Sequence, residues 1–151
     1  MKLSVLLEGI SFGAGMPDKA AGSKEITGIA INSKKVKKGY IFIAIPGFKK
    51  DGHDYITEAL NNGAAAVMAQ KSVLLPEGII RIMVQDCRKE LAVICRNFFK
   101  NPTSKIMMTG VTGTNGKATS VFLLDSIFRS AGFKTAYITT VNARIAGQPL
   151  S

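Results

Sequence analysis

The chain has 151 residues, 46% of them hydrophobic, and a net charge of +10. That apolar content excludes a disordered chain and supports a packed core, enough for roughly one domain or one and a half. No apolar run is long enough to span a membrane, and Lys2 followed by Glu8 does not make a signal peptide, so the expected compartment is the cytoplasm.

A pI near 9.8 suggests an anionic partner. Lys34, Lys35, Lys37 and Lys38 cluster, but the other basic residues are scattered and no aromatic residues are interleaved with them. A nucleotide ligand answers to this charge as well as a nucleic acid does, which leaves a basic nucleic-acid binder as the minor alternative. Cys87 and Cys95 lie eight residues apart with Leu91 between them, on one helical face, and read as reduced core residues. With His53 as the sole histidine, the residues offer no metal site of the usual kind.

In chain order, residues 1–10 read as a short amphipathic helix with Leu3, Leu6, Leu7 and Ile10 inward. Residues 11–24 are Gly/Ala/Pro/Lys-rich and loop-like. Residues 26–31 alternate as a half-buried strand, and 40–45 form an apolar strand ended by Pro46-Gly47. Asp54 is expected to cap a helix carrying Ile56, Ala59 and Leu60, stopped by Gly63. Strands follow at 64–69 and 79–84. Asp86 then caps a helix running through Phe99, with Leu91, Ile94, Cys95 and Phe98 inward. Asn101-Pro102 closes it and marks a domain boundary, giving domains 1–102 and 103–151.

Beyond the boundary the pattern predicts a strand at 106–111, a loop, a helix at about 117–131 and a strand at about 135–141. This is one βαβ unit, and by itself it leaves its sheet uncovered, so the second domain is expected to be incomplete at Ser151. The loop is Gly110-Val111-Thr112-Gly113-Thr114-Asn115-Gly116-Lys117-Ala118-Thr119. A glycine-rich turn between strand and helix aims backbone N–H groups at an oxyanion, and Lys117 adds a full charge. The general phosphate-loop pattern asks for glycine where Val111 stands and for Ser or Thr where Ala118 stands. A structural glycine connection is the plain alternative.

Thr112-Gly113-Thr114-Asn115-Gly116-Lys117 resembles the ATP loop of the Mur ligases and folylpolyglutamate synthases, T-G-T-N-G-K-T-T, whose glycine spacing accommodates Val111. A second block, Ile26-Thr27-Gly28-Ile29-Ala30-Ile31-Asn32-Ser33-Lys34-Lys35-Val36-Lys37-Lys38-Gly39, resembles the opening of the UDP-substrate domain of MurE-type ligases. Tyr40-Ile41-Phe42-Ile43-Ala44-Ile45-Pro46-Gly47-Phe48-Lys49-Lys50-Asp51-Gly52-His53-Asp54 continues that likeness, which runs from about residue 26 to about 140.

The resemblance implies an α/β fold: a small N-terminal UDP-substrate-binding α/β domain, then the first βαβ unit of a P-loop parallel-sheet domain. It implies an ATP- and Mg²⁺-dependent ligase of peptidoglycan synthesis, adding an amino acid to UDP-N-acetylmuramoyl-L-alanyl-D-glutamate through an acyl phosphate. Gly113, Thr114, Asn115, Gly116, Lys117, Ala118 and Thr119 would wrap the ATP phosphates, with Lys117 in the catalytic role at the β/γ oxygens. Ile31, Ser33, Phe48, Lys49 and Lys50 would contact the UDP substrate. The plain alternatives are a strand end for Ser33 and a solvated turn for Lys49 and Lys50, while His53 reads as a loop or helix-entry residue and not as a catalyst.

Two departures carry consequences. Ala118 replaces the hydroxyl that binds Mg²⁺ in these loops, and Thr119, about 100° round the helix, is a poor substitute. Lys34 replaces the family arginine and loses its planar fork. The family's other acidic Mg²⁺ ligands, modified lysine and C-terminal domain are expected beyond residue 151, so this chain alone is expected to be inactive. The competing class is a non-catalytic module holding a UDP-linked ligand. A reading frame continuing past Ser151 would favour the ligase, and a stop there the module. Which amino acid is added is not legible.

Overall fold

The computed structural model describes residues 1–13, 19–48 and 50–150. The chain forms two compact units, Met1–Ile106 and Met107–Ser151, dividing just past the Asn101-Pro102 step.

The first unit is built on four parallel strands in the order β1-β2-β3-β4: β1 (Gly28–Ala30), β2 (Tyr40–Ile43), β3 (Ala66–Ala69) and β4 (Ile80–Met83). Parallel strands of this kind are apolar on both faces, because both are covered. Successive side chains point to opposite faces, and two cores result. Ile41, Ile43, Ala66 and Met68 pack on one side with Leu3, Leu6 and Ile94. Those partners come from α1 (Leu3–Leu6) and α3 (Cys87–Phe98). Phe42, Ala44, Val67 and Ala69 pack on the other with Ile56 and Ala59 of α2 (Ile56–Asn61). Gly28 of β1 is required by its neighbour: a Cβ there would stand 2.4 Å from the Tyr40 ring.

The elements differ from expectation where local chemistry decides. The N-terminal helix is only the four residues of α1, although Leu3, Leu6, Leu7 and Ile10 are all buried as the pattern requires. Within 11–24, Phe12 bridges to Val84 beside β4, a 3₁₀ turn covers Lys19–Ser23, and residues 14–18 lie outside the described residues. Asp54 does not cap α2. Asp51 instead caps a 3₁₀ turn, Gly52–Tyr55, by accepting from the His53 backbone N–H, and that turn leads into the helix without a side-chain cap. Asp86 does cap α3, accepting from the N–H groups of Arg88 and Lys89. The helix ends at Phe98, with Lys100 and Asn101 in left-handed conformation after it.

The second unit holds α4 (Lys117–Ser130) and an antiparallel meander of β5 (Ala136–Ile138), β6 (Ala143–Ile145) and β7 (Gln148–Pro149). The expected βαβ unit is not realised. Residues 106–111 form no strand, and β5 pairs antiparallel with β6. A strand exists only through its ladder. The hydrogen bonds of β5 go to β6 across a short turn closed by Thr139 and Asn142, a local closure that costs little chain entropy. Met107 and Met108 stay exposed. None of the described residues of this unit is buried; α4 is held by edge-to-face pairs, Phe122 with Tyr137 and Phe128 with Phe133. The α/β class holds, carried by the parallel sheet of the first unit.

Candidate functional site

In a parallel sheet all strands end on the same edge, and the loops leaving that edge converge. The residues singled out for a UDP ligand lie in the loops after β1 and β2, two neighbouring strands. Ile31 is 56% exposed directly after β1. Asn32 accepts from the Lys34 N–H at 3.0 Å, setting a 3₁₀ turn that displays Lys34 and Lys35 to solvent. Ser33 faces inward. It is 5% exposed, its hydroxyl donates to Glu58 Oε2 at 2.5 Å, and its carbonyl accepts from Asn62 Nδ2 at 3.0 Å. In this form Ser33 joins the turn to α2 and does not present its hydroxyl.

The loop after β2 doubles back on itself. Gly47 N–H donates to Lys50 O at 2.9 Å, Gly52 N–H donates to Ile45 O at 3.0 Å, and Pro46 bridges Asp51. Glycine is needed at 52, since a Cβ there would meet Ile45 N at 2.6 Å. The tip points outward: Phe48 is fully exposed, with the Arg88 guanidinium 5.8 Å from its ring centroid. Lys50 Nζ lies 5.8 Å from the Tyr55 ring centroid, within cation–π range. Lys49 lies outside the described residues. Arg88 also donates to Pro46 O at 3.0 Å, tying the loop to the first turn of α3.

Asp51 is the hub of this edge. It accepts from His53 N–H at 3.0 Å, contacts His53 Nδ1 at 2.6 Å and accepts from Lys71 Nζ at 2.5 Å. The Lys71 ammonium first, then the His53 bonds, hold its carboxyl far below the usual carboxylate range. Gln70, next to Lys71, accepts from Cys87 N–H at 3.2 Å and donates to Gln85 O at 2.9 Å, linking the ends of β3 and β4. Burial, then Asp86 and Glu90, push the Cys87 thiol up to about 12, so it stays protonated at neutral pH.

The second candidate site is the loop heading α4. Gly116 occupies the N-cap at φ +77°, a conformation glycine adopts without strain, and no side chain caps the helix. The first-turn N–H groups are thus left to an anion. Lys117 folds back, Nζ donating to Gly113 O at 2.6 Å and to Thr114 O at 3.2 Å. Lys117 and Ala118 line an open cavity of about 270 Å³ with Val111, Val121, Ile138, Thr139 and Thr140. The uncapped helix start and the Lys117 ammonium are the groups here that could hold an anion. The site does not fit a magnesium ion: Ala118, which lines the cavity, has no side-chain oxygen, Thr119 is not part of the lining, and no metal-holding cluster of His, Cys, Asp or Glu occurs among the described residues.

Of the residues singled out in the sequence, Ile31, Ser33, Phe48 and Lys50 follow β1 and β2, Lys49 lies outside the described residues, and Gly113–Thr119 lead into α4. Sequence reasoning missed Asp51, Arg88, Gln70, Lys71 and Glu58. An aspartate two residues before His53 is a recognisable turn signal; the other partners lie too far along the chain to be read from spacing.

The profile described as Mur ligase family, catalytic domain, matches residues 25–109, more than half of the chain. The UDP-N-acetylmuramoyl-L-alanyl-D-glutamate–2,6-diaminopimelate ligase of Clostridium perfringens is 38% identical over 143 residues, 93% of this chain and 28% of the relative. That of Aquifex aeolicus is 43% identical over 122 residues, 81% and 25%. Among solved structures, the Thermotoga maritima MurF ligase in complex with ADP aligns at TM-score 0.52 and 32% identity, covering 71% of this chain and 24% of that one. A UDP-N-acetylmuramoyl-L-alanyl-D-glutamate–2,6-diaminopimelate ligase shares the fold at TM-score 0.65 and 21% identity, covering 96% and 28%. The chain therefore spans about a quarter of the length of these relatives. With a matching profile, a parallel sheet and a glycine-lysine loop in agreement, this chain belongs to the Mur ligase family.

Proposed function

We propose that the chain is the N-terminal part of an ATP-dependent amide-bond ligase of MurE type, working in the cytoplasm on UDP-N-acetylmuramoyl-L-alanyl-D-glutamate. Residues 1–102 form its UDP-substrate domain, and residues 103–151 open its ATP-binding domain. The names of the relatives support 2,6-diaminopimelate as the amino acid added. The observation that carries the reading is the shared edge: Ile31 and Lys34 after β1, and Phe48 and Lys50 after β2, leave neighbouring strands on the same side. Exposed aromatic and cationic groups there suit a base and a diphosphate.

In the complete ligase the substrate carboxylate is phosphorylated and the incoming amine attacks the acyl phosphate, so charge builds on the transferred phosphoryl group. Lys117 exchanges the carbonyls of Gly113 and Thr114 for phosphate oxygens. Gly113, Thr114, Asn115 and Gly116 shape the loop, while Lys117, Ala118 and Thr119 offer first-turn N–H groups. The Ala118 side chain supplies no oxygen for Mg²⁺. This chain matches 28% of the Clostridium perfringens relative, and the remaining substrate contacts are assigned to the rest of such a ligase.

A non-catalytic UDP-ligand module is the second reading, favoured by the two-sided core of the first unit and the lack of buried residues among the described residues of the second. Calorimetric titration with the UDP-dipeptide, and separately with ATP with and without Mg²⁺, tests both. Binding of the UDP ligand with weak, magnesium-independent ATP binding and no turnover is expected. UDP-ligand binding with no ATP binding favours the module; no UDP-ligand binding overturns both.

A further inference from the structure

Resting on the UDP-ligand reading of the sheet edge, we infer that His53 is a positioning residue that fixes the loop of Phe48 and Lys50 against the end of β3. The imidazole is enclosed, its side chain 7% exposed. Nε2 faces two backbone donors, Gln70 N–H at 3.2 Å and Lys71 N–H at 3.3 Å. Two donors converging on one nitrogen make it an acceptor, so the proton sits on Nδ1 and is donated to Asp51 Oδ1 at 2.6 Å.

Gln70 and Lys71 directly follow the last residue of β3. The ring continues the hydrogen bonding of that strand where the ladder stops and ties it to Asp51, the residue closing the loop after β2. Lys71 Nζ reaches the other Asp51 oxygen at 2.5 Å, so one strand end grips the loop base twice. Arg88 holds the far arm through Pro46 O at 3.0 Å. The exposed tip, with Phe48 and Lys50, is suspended between these anchors. A ligand reading the tip then meets a preformed loop and loses less entropy on binding.

The chemistry separates this role from simple packing. In His53→Gln the amide oxygen reaches the Nε2 position and can accept from Gln70 and Lys71. In His53→Asn the side chain reaches Asp51 but stops short of the strand. The experiment uses the 151-residue chain, with amide exchange at Gly47 and Gly52, whose N–H groups close the loop, and calorimetry with UDP-N-acetylmuramoyl-L-alanyl-D-glutamate. Exchange about tenfold faster and binding about tenfold weaker are expected in His53→Asn and His53→Ala, with His53→Gln, which keeps the strand contact and loses only the Nδ1 bond to Asp51, clearly less impaired than either. Unchanged loop exchange in His53→Ala, or a Gln variant as impaired as the Ala variant, overturns the inference. If the wild-type chain binds no UDP ligand, the functional reading falls, and the exchange comparison alone decides whether His53 holds the loop.

Discussion

The hydroxyl of Ser33 donates to the carboxylate of Glu58 at 2.5 Å, joining the turn after β1 to α2 across twenty-five residues of chain. A ligand phosphate can take this hydroxyl only by displacing Glu58. Ser33→Ala removes a hydrogen bond to a charged group and should lower stability by about 1.5–3 kcal/mol, read by denaturant melts. Glu58→Ala frees the hydroxyl while breaking the same contact. If Ser33 touches the UDP ligand, Ser33→Ala weakens binding and Glu58→Ala does not. Equal weakening in both variants assigns Ser33 to structure alone.

The sheet of the first unit was legible because its strands are buried on both faces. Tyr40-Ile41-Phe42-Ile43 and Ala66-Val67-Met68-Ala69 read as short apolar runs, and the structure makes them β2 and β3. The same signal misled at 106–111. Apolar composition states what a strand could bury but not whether a partner lies beside it, and β5 pairs with β6. The Gly113–Lys117 loop was legible because its glycines and lysine are adjacent in sequence. The edge network was not: Asp51 meets Lys71, and Arg88 meets Pro46, only once the parallel register brings the strand ends together.

Acid should loosen this edge. The carboxyl of Asp51 is held far down, chiefly by Lys71 and then by His53. A group whose folded value is depressed contributes stability that is fully present above its unfolded value, about 4, and lost as pH falls through the folded one. Melting temperature should therefore drop below about pH 4, and Asp51→Asn should flatten that part of the profile. Lys71→Met should flatten it too, because it removes the largest cause. A profile unchanged in both variants would show that the ion pair adds nothing to folding.

Cys87 and Cys95 should differ in reactivity. Cys87 is fully buried at the start of α3 and its thiol is pushed up to about 12, while Cys95 is half-buried and raised by burial alone. At pH 8 a thiol reagent should label Cys95 slowly and leave Cys87 unmodified until denaturant is added. Rapid double labelling of the native chain would contradict the enclosed position of Cys87.

Ala118 makes the sharpest prediction about the ATP loop. It lines the same cavity as Lys117, so Ala118→Thr adds a hydroxyl at a residue of that lining, whereas Thr119 is not part of it. The helix-propensity cost of threonine is below about 1 kcal/mol and should leave α4 intact. Wild-type affinity for ATP should be nearly the same with and without Mg²⁺, because no oxygen at position 118 receives the ion. In Ala118→Thr, magnesium should tighten ATP binding by about tenfold, a gain equivalent to about 1.4 kcal/mol. Thr119→Ala should change neither value, and Lys117→Ala should abolish both. If Ala118→Thr leaves the magnesium dependence unchanged, the methyl group at 118 is not what separates this loop from a magnesium-using one.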